Sequence, residues 1–232
     1  VDNSALFDDG SSQYLSKTLG TPSSTKSWAL SVWLQVGNLP SINMNIIQAG
    51  TNSGTWQFLC FDALGNIDFT AGSSNYLVGK IPWGRTGVNF GNLCVIYDSA
   101  NAVASDRVRM YWNGERITDF ASTSDPSLNQ ASVINSAVIH YIGKLHGYSR
   151  YYDGYMSEYI MIDDAVSAGV TGPESFGEYD TTGLYWTPKS SATIQELTFG
   201  NNGFYLHNEY DVSSNMTTFV DSGPTAHTIT TV

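Results

Sequence analysis

Residues 93–114 constrain the fold of this chain more than any other stretch of the sequence. In the first of two runs Leu93, Val95 and Tyr97 alternate with Cys94 and Ile96. In the second Val108, Met110 and Trp112 alternate with Arg107, Arg109 and Tyr111, and this two-residue period is typical of β-strands. The residues between the runs are rich in Asp, Ser and Asn, whose short side chains bond to nearby backbone groups in turns. Asn113-Gly114 supplies the positive φ angles of a tight turn at the far end. The stretch therefore predicts two antiparallel strands.

Further strand-like runs recur along the chain at intervals of about ten residues, which is typical of a β-sandwich or barrel. The longest, 28–36, should be a central strand with its apolar face in the core. That face comprises Trp28, Leu30, Val32, Leu34 and Val36. Three shorter candidate strands occupy 45–50, 56–62 and 66–70, and no stretch has a sustained helical period. We therefore predict an all-β fold.

The charge of the chain excludes two classes of partner. Its 232 residues carry a formal net charge of −11, which repels nucleic-acid phosphates and anionic lipid head groups. No apolar run approaches the roughly 20 residues that a membrane-spanning helix needs. We expect neither nucleic-acid binding nor membrane insertion. Because the sequence begins at Val1 without a signal peptide, we also expect a processed or partial chain.

The two cysteines, Cys60 and Cys94, occur singly in apolar runs. Free cysteine is among the most buried residue types, so both are predicted to be unpaired thiols in strands. A disulfide would require their Cα atoms to lie about 4.4 to 6.8 Å apart on neighbouring strands.

The composition of the sequence changes near residue 165, where Gly, Thr, Pro and Ser become frequent and the apolar residues lose their regular spacing. Residues 165–232 are too polar for a core of their own. We therefore divide the chain into a sandwich at 1–164 and an extended C-terminal segment at 165–232, which packs on the sandwich or on a neighbouring subunit.

Four pieces follow one another in a recognisable order: FDDGSSQYLSKTLGTPSSTKSWALSVWLQ at 7–35, a strand that ends in Gly50, VIYDSANAVASDRVRMYWNGERIT at 95–118, and HYIGKLHGYSRYYDGYMSEYIMID at 140–163. This series resembles the laminin-G-like, concanavalin A-like jelly rolls over roughly residues 5 to 164. More narrowly, it is similar to the versions in virion proteins of tailed bacteriophages, especially marine and cyanobacterial phages. The segments that carry this resemblance are ASDRVRMYWNG at 104–114, YYDGYMSEYIMID at 151–163, SFGEYDTTGLYWTPK at 175–189, NGFYL at 202–206 and DSGPTAHTIT at 221–230.

The resemblance implies a two-sheet antiparallel jelly-roll sandwich and roles that range from glycan recognition to virion decoration and fibre building. On that basis the expected function is a non-enzymatic bacteriophage virion structural protein, a capsid decoration or a tail or fibre component. It would be a homo-oligomer that contacts other virion subunits and host-surface glycans. The alternative is a secreted or surface carbohydrate-binding or adhesion module, located outside the cell. A glycoside hydrolase or lyase ranks third.

Catalysis is disfavoured because a glycoside hydrolase needs two carboxylates about 5 to 9 Å apart across a cleft. The acidic residue embedded in a well-formed strand is Glu158, which alternation would place on the same face as Met156, Ile160 and Ile162. A lone carboxylate there is more simply a hydrogen-bonded structural group, so no catalytic residue is assigned.

Metal binding is also disfavoured. The four histidines, at 140, 146, 207 and 227, lack the spacing of a zinc site. The resemblance implies calcium bound by loop carboxylates in some family members. The candidate ligands here are Asp8, Asp9, Asp98, Asp106, Asp163 and Asp164. Turn capping explains these side chains more simply, so we predict no metal and no cofactor, with calcium as the open alternative.

The aromatic residues are the stronger candidates for ligand binding, because Trp and Tyr provide a large contact area with little loss of side-chain entropy. Five of them lie in or beside predicted turns and are the candidate ligand-binding residues: Trp56, Trp83, Tyr148, Tyr151 and Tyr152. Trp28, Trp33 and Trp112 lie in predicted strands and are expected to pack in the core or on a sheet.

Overall fold

The computed structural model describes residues 4–37, 43–52, 54–71, 74–81, 90–207, 219–224 and 227–231. Its strands in chain order are β1 Ala5–Phe7, β2 Leu15–Thr18, β3 Ser27–Val36, β4 Met44–Ala49, β5 Gln57–Phe61, β6 Ile67–Ala71, β7 Ser74–Gly79, β8 Gly91–Asp98, β9 Val108–Trp112, β10 Glu115–Arg116, β11 Phe120–Thr123, β12 Ile139–Ile142, β13 Lys144–Leu145, β14 Arg150–Tyr151, β15 Gly154–Asp163, β16 Gly177–Tyr179, β17 Trp186–Pro188, β18 Phe204–Leu206, β19 Phe219–Val220 and β20 Thr228–Thr231. Short helical segments are α1 Ser191–Gln195 and 3-10 turns at Asp9–Ser11, Ala104–Asp106 and Pro173–Ser175.

The strands form two large antiparallel sheets that pack face to face. The seven-stranded sheet has the order β1-β15-β3-β8-β9-β10, with β18 also paired to β15. The nine-stranded sheet has the order β11-β7-β6-β5-β4-β12-β2-β20-β19. The two remaining pairs, β13-β14 and β16-β17, are short hairpins. The predicted all-β, two-sheet antiparallel sandwich is confirmed.

The central hairpin and the central strand are both where the sequence pattern places them. Strands β8 and β9 pair antiparallel with Leu93 opposite Trp112, and β3 lies between β15 and β8. The whole predicted inner face of β3 belongs to the core between the sheets. There Trp28 stacks on Tyr97, with ring centroids 5.6 Å apart, and its indole N–H donates to Ser132 Oγ at 2.7 Å. Trp33 and Trp112 are also buried, as predicted.

Strand β15 differs from its predicted alternation. The register between β15 and β3 shifts between Ser157 and Ile160, and Glu158 has a φ of 47°, in the left-handed region. This β-bulge returns Tyr159 to the core beside Met156, and sends Ile160 to the opposite face. The prediction that Glu158 shares a face with Met156 is therefore wrong, because one extra residue reverses every side chain that follows it.

Residues beyond 164 contribute to both layers. Strand β18 extends the seven-stranded sheet, and β20 pairs with β2 in the nine-stranded sheet. The segment also covers the outer face of the seven-stranded sheet, where Phe176, Ile194 and Phe199 join the apolar cluster around Cys94. Helix α1, which contributes Ile194 to this cluster, has five residues. No helix in the described ranges is long and apolar enough to span a membrane.

The two cysteines are free and fully buried, as predicted. Cys60 belongs to an apolar cluster outside the nine-stranded sheet, and Cys94 to the cluster outside the seven-stranded sheet. The core between the sheets separates them, so the geometry of a disulfide bond is out of reach.

Candidate functional site

The hairpin formed by β13 and β14 lies against the outer face of the nine-stranded sheet, over β4. Two buried side chains of β4 hold it there: Asn45 Nδ2 donates to the carbonyl of Lys144 at 2.6 Å, and Gln48 Oε1 accepts from the backbone N–H of His146 at 2.6 Å. Leu145 packs beneath the hairpin against Phe58. These part-buried bonds start from buried side chains, so they fix the hairpin as a rigid platform.

One side of this platform is formed by Trp56, Tyr148 and Arg150. The rings of Trp56 and Tyr148 are 5.8 Å apart, and the Arg150 guanidinium carbon lies 4.8 Å from the centre of the Tyr148 ring. Trp56 is 7% exposed, whereas Tyr148 is 47% exposed. Trp56 therefore supports the ring of Tyr148, which is the surface presented to solvent.

The other side is formed by three tyrosines around Lys144. The ammonium nitrogen of Lys144 lies 3.9 Å from the centre of the Tyr14 ring and 5.8 Å from those of Tyr141 and Tyr151. Tyr141 in turn stacks on His146, with centroids 5.1 Å apart. Cation–π attraction holds the lysine among the rings. We call the whole surface the tyrosine patch and define it as Tyr14, Trp56, Tyr141, Lys144, His146, Tyr148, Arg150 and Tyr151.

The structure brings three of the five predicted ligand-binding residues together in this patch: Trp56, Tyr148 and Tyr151. The prediction that Tyr152 binds a ligand is wrong. Its side chain is fully buried, packs edge-on against Phe7 at 6.1 Å, and donates from its hydroxyl to the carbonyl of Gln35 at 3.3 Å. Successive residues of an extended chain point to opposite sides, so Tyr151 faces outward and Tyr152 enters the core. Trp83 lies outside the described residues.

Sequence reasoning missed the other members of the patch. Tyr14 precedes β2 and Tyr141 lies on β12, and they meet because these strands pair with Leu15 opposite Ile142. The available signal was the row of aromatic and basic residues from 141 to 151. Tyr14 had no local signal, since its position depends on strand pairing.

Both carboxylate oxygens of Glu158 already have hydrogen-bond partners within the fold. Tyr205 donates its hydroxyl to one carboxylate oxygen of Glu158, and His207 Nδ1 lies 2.9 Å from the other. Both Glu158 and Tyr205 are buried. Among the described residues no second carboxylate shares this network, so the geometry assigns no acid and base pair for glycoside cleavage.

The predicted candidate calcium ligands mostly have structural partners. The buried carboxylate of Asp163 accepts from the backbone N–H groups of Ser23, Asn201 and Asn202, and Asp106 pairs with Arg116. These contacts stabilise loops and leave little room for a cation.

Two of the predicted calcium ligands, Asp8 and Asp9, lie beside Asp153, and each of the three offers an oxygen within 4.8 Å of the others. Asp8 already accepts from Gly10 N and Ser11 Oγ. Calcium takes about six to eight oxygen ligands, and these residues do not supply such a set, so we assign no metal.

The comparisons with known proteins agree with this architecture. The family model for the concanavalin A-like lectin/glucanase superfamily matches residues 9–169, which is more than half of the chain. No curated protein sequence matches.

Among solved structures, a protein of Bacteroides ovatus ATCC 8483 that is provisionally described as carbohydrate-binding has a TM-score of 0.59 at 14% identity. The alignment covers 98% of this chain and 57% of that protein, so the chain spans little more than half of its length.

Two further structures are more distant. Domain 4 of the extracellular arabinanase AbnA from Geobacillus stearothermophilus, solved with arabinotriose, has a TM-score of 0.49 at 16% identity, over 69% of this chain and 70% of that one. Domains LG4-5 of the mouse laminin α1 chain have a TM-score of 0.49 at 11% identity, and the alignment covers 71% of this chain and 43% of that one. From its two-sheet fold and the family match, the chain belongs to the concanavalin A-like lectin/glucanase superfamily.

Proposed function

We propose that this protein is a non-enzymatic carbohydrate-binding module and that the tyrosine patch is its sugar-binding surface. The observation that carries the proposal is the pair of rings, Tyr148 and Tyr151, displayed beside Arg150 and Lys144 on a hairpin that buried side chains of β4 hold in place.

The chemistry of the patch suits a sugar. A pyranose ring has an apolar C–H face, which packs on an aromatic ring, and a rim of hydroxyls, which need hydrogen-bond partners. Tyrosine provides both an apolar face and a hydroxyl. Lys144 lies over the ring of Tyr14 and Arg150 over the ring of Tyr148, and both side chains add N–H donors to the patch. Because the platform is already rigid, little entropy is lost when a ligand binds.

The fold of the B. ovatus protein supports this proposal, since its provisional description is also carbohydrate binding. At 14% identity that likeness extends to the fold alone. The assignment of the surface therefore depends on the patch itself.

The proposal is tested by a glycan array followed by calorimetric titration of the best ligand. Tyr151→Ala and Tyr148→Ala should each weaken binding by about tenfold or more, which corresponds to roughly 1.4 kcal/mol of lost contact. The matched control is Tyr185→Ala, because Tyr185 is 68% exposed on the separate β16-β17 hairpin. Binding that is unaffected by both patch variants, or an array without any ligand, would refute the proposal.

The virion role is a second candidate, and one observation favours it. Leu184 and Tyr185, within the phage-like segment 175–189, are 73% and 68% exposed in the turn of the β16-β17 hairpin. The carboxylate of Asp180 accepts from the backbone N–H groups of both residues, so the turn presents them rigidly. Exposed apolar groups on a fixed turn suit contact with another subunit.

On this second proposal the module would sit on a phage particle, as a homo-oligomer bound to other virion subunits. Otherwise it would act as a secreted or surface module outside the cell. Light scattering should show an oligomer that Leu184→Ser dissociates, and mass spectrometry of purified particles should detect the chain. A monomer absent from particles would rule the virion role out.

A further inference from the structure

A cavity of about 350 Å³ opens at one side of the sandwich, far along the sheets from the tyrosine patch in strand order. It lies where the edge strands of the two sheets, β9-β10 and β7-β11, approach each other and the chain crosses from one sheet to the other. Its lining includes Leu77, Val108, Met110, Arg116, Ile117 and Asp125. Neither the family match nor the proposed glycan surface accounts for it.

The cavity has an apolar floor. Leu77, Val108, Met110 and Ile117 all belong to the core between the sheets, and Phe120 packs against them. Leu77, Val108 and Met110 are at most 3% exposed, so a ligand that enters here meets this apolar lining mainly at Ile117 and Phe120. This floor favours an alkyl chain or an aromatic ring over a polar group.

The rim contains a positioned cation. Arg116 Nη2 donates to Asp106 Oδ1 at 2.5 Å and to the carbonyl of Ser105 at 3.0 Å, and the side chain remains 41% exposed. In the part of the chain that the structure describes, its Nε and Nη1 groups have no partner. Because its two bonds fix the plane of the guanidinium, the remaining N–H groups form a ready site for a planar anion such as a carboxylate.

We propose that this cavity binds a small monocarboxylic acid with an apolar body. The carboxylate would accept from Arg116, and the body would lie on the apolar lining at Ile117 and Phe120. At about 30 Å³ for each water-sized group, the volume holds roughly ten non-hydrogen atoms. Asp106 already pairs with Arg116, and Asp125 lies on the same rim, so these two carboxylates repel any further negative charge and a dicarboxylate should bind less well than a monocarboxylate.

The test compares three ligands with the same eight-carbon chain: octanoate, octan-1-ol and octanedioate. Each is titrated into the full chain by calorimetry and by amide NMR. Octanoate should bind most tightly and shift the amide signals of residues that line the cavity. Arg116→Gln should weaken octanoate by about ten- to a hundredfold and leave octan-1-ol unchanged, since the lost bonds involve a charged group.

Two further variants keep the test decisive. Lys26→Gln removes a cation that bonds to Asn129, away from the cavity lining, and should not change the affinity. Thr123→Phe fills the mouth from an exposed position and should abolish binding of both octanoate and octan-1-ol. Equal binding of octanoate and octan-1-ol, indifference to Arg116→Gln, or no shifts at the cavity would overturn the proposal.

Discussion

His140 illustrates how single side chains are fixed by the fold. It is 4% exposed on β12, where Nε2 accepts from the backbone N–H of Asn135 at 3.0 Å. Its Nδ1 must then carry the proton and donate to the carbonyl of Val138 at 2.9 Å. Protonation of Nε2 would leave its new N–H group facing the backbone N–H of Asn135, with no acceptor between them. Burial lowers the pKa of His140 to about 4, so the native state holds the neutral ring.

This residue predicts an acid-sensitive stability. The folded pKa of about 4 is below the unfolded value of about 6.5, so its contribution is complete above pH 6.5 and is lost as the pH falls from 6.5 to 4. The full loss is about 3 kcal/mol. Urea unfolding of the native chain and of His140→Gln should show a smaller difference between pH 7 and pH 4.5 in the variant. Equal differences would contradict the assignment.

At the scale of elements, the pairing of β15 with β3 depends on Gly154. Its φ is 140°, and an added Cβ would lie 2.0 Å from the carbonyl oxygen of Gln35 on β3. Only glycine permits this close approach of the two backbones. The approach occurs next to the tyrosine patch in the chain, since Gly154 follows β14 by three residues.

Gly154→Ala should therefore destabilise the chain by about 3 kcal/mol, measured by denaturant unfolding. The matched control is Gly147→Ala, where φ is 80° but nothing lies within 4 Å of the added Cβ. It should cost about 1 kcal/mol, the strain of a left-handed alanine alone. If the two variants lose the same free energy, the close contact has no role.

The elements also show what local sequence can predict. Strand β9 follows from alternation, since its burial alternates residue by residue, whereas β8 is a continuous apolar run that is buried on both faces. The bulge at Glu158 breaks the alternation of β15, and no glycine or proline at that position indicates it in the sequence. Likewise the tyrosine patch could be predicted only in part, through Trp56, Tyr148 and Tyr151, which lie in or beside predicted turns. Tyr14 joins through pairing between distant strands, which periodicity does not encode.

At the scale of the molecule, Asp163 ties three distant loops together. Its buried carboxylate accepts from Ser23 N at 2.7 Å, Asn135 Nδ2 at 2.6 Å and Asn202 N at 3.1 Å. These donors come from the loop before β3, the loop before β12 and the segment before β18. One side chain thus links the early and late parts of the chain.

Asp163→Asn should lower the free energy of unfolding by at least about 2 kcal/mol. The substitution removes the charged acceptor of these N–H groups and turns an amide N–H₂, itself a donor, toward some of them. Asp164→Asn is the control. Asp164 caps a turn near the surface at a φ of 71°, which asparagine tolerates, so the change should stay within about 0.5 kcal/mol. Similar losses in both variants would argue against a linking role for Asp163.

The positions of Cys60 and Cys94 give the two faces of the sandwich separate chemical reporters. Burial raises the pKa of both thiols, so a thiol reagent reacts only after the cover above the cysteine opens. With Cys94→Ala, the labelling rate should measure release of the β13-β14 hairpin. With Cys60→Ala, it should measure release of the C-terminal segment. Unequal rates below the unfolding transition would show that the two covers detach independently, whereas equal rates would mean that they open only in global unfolding.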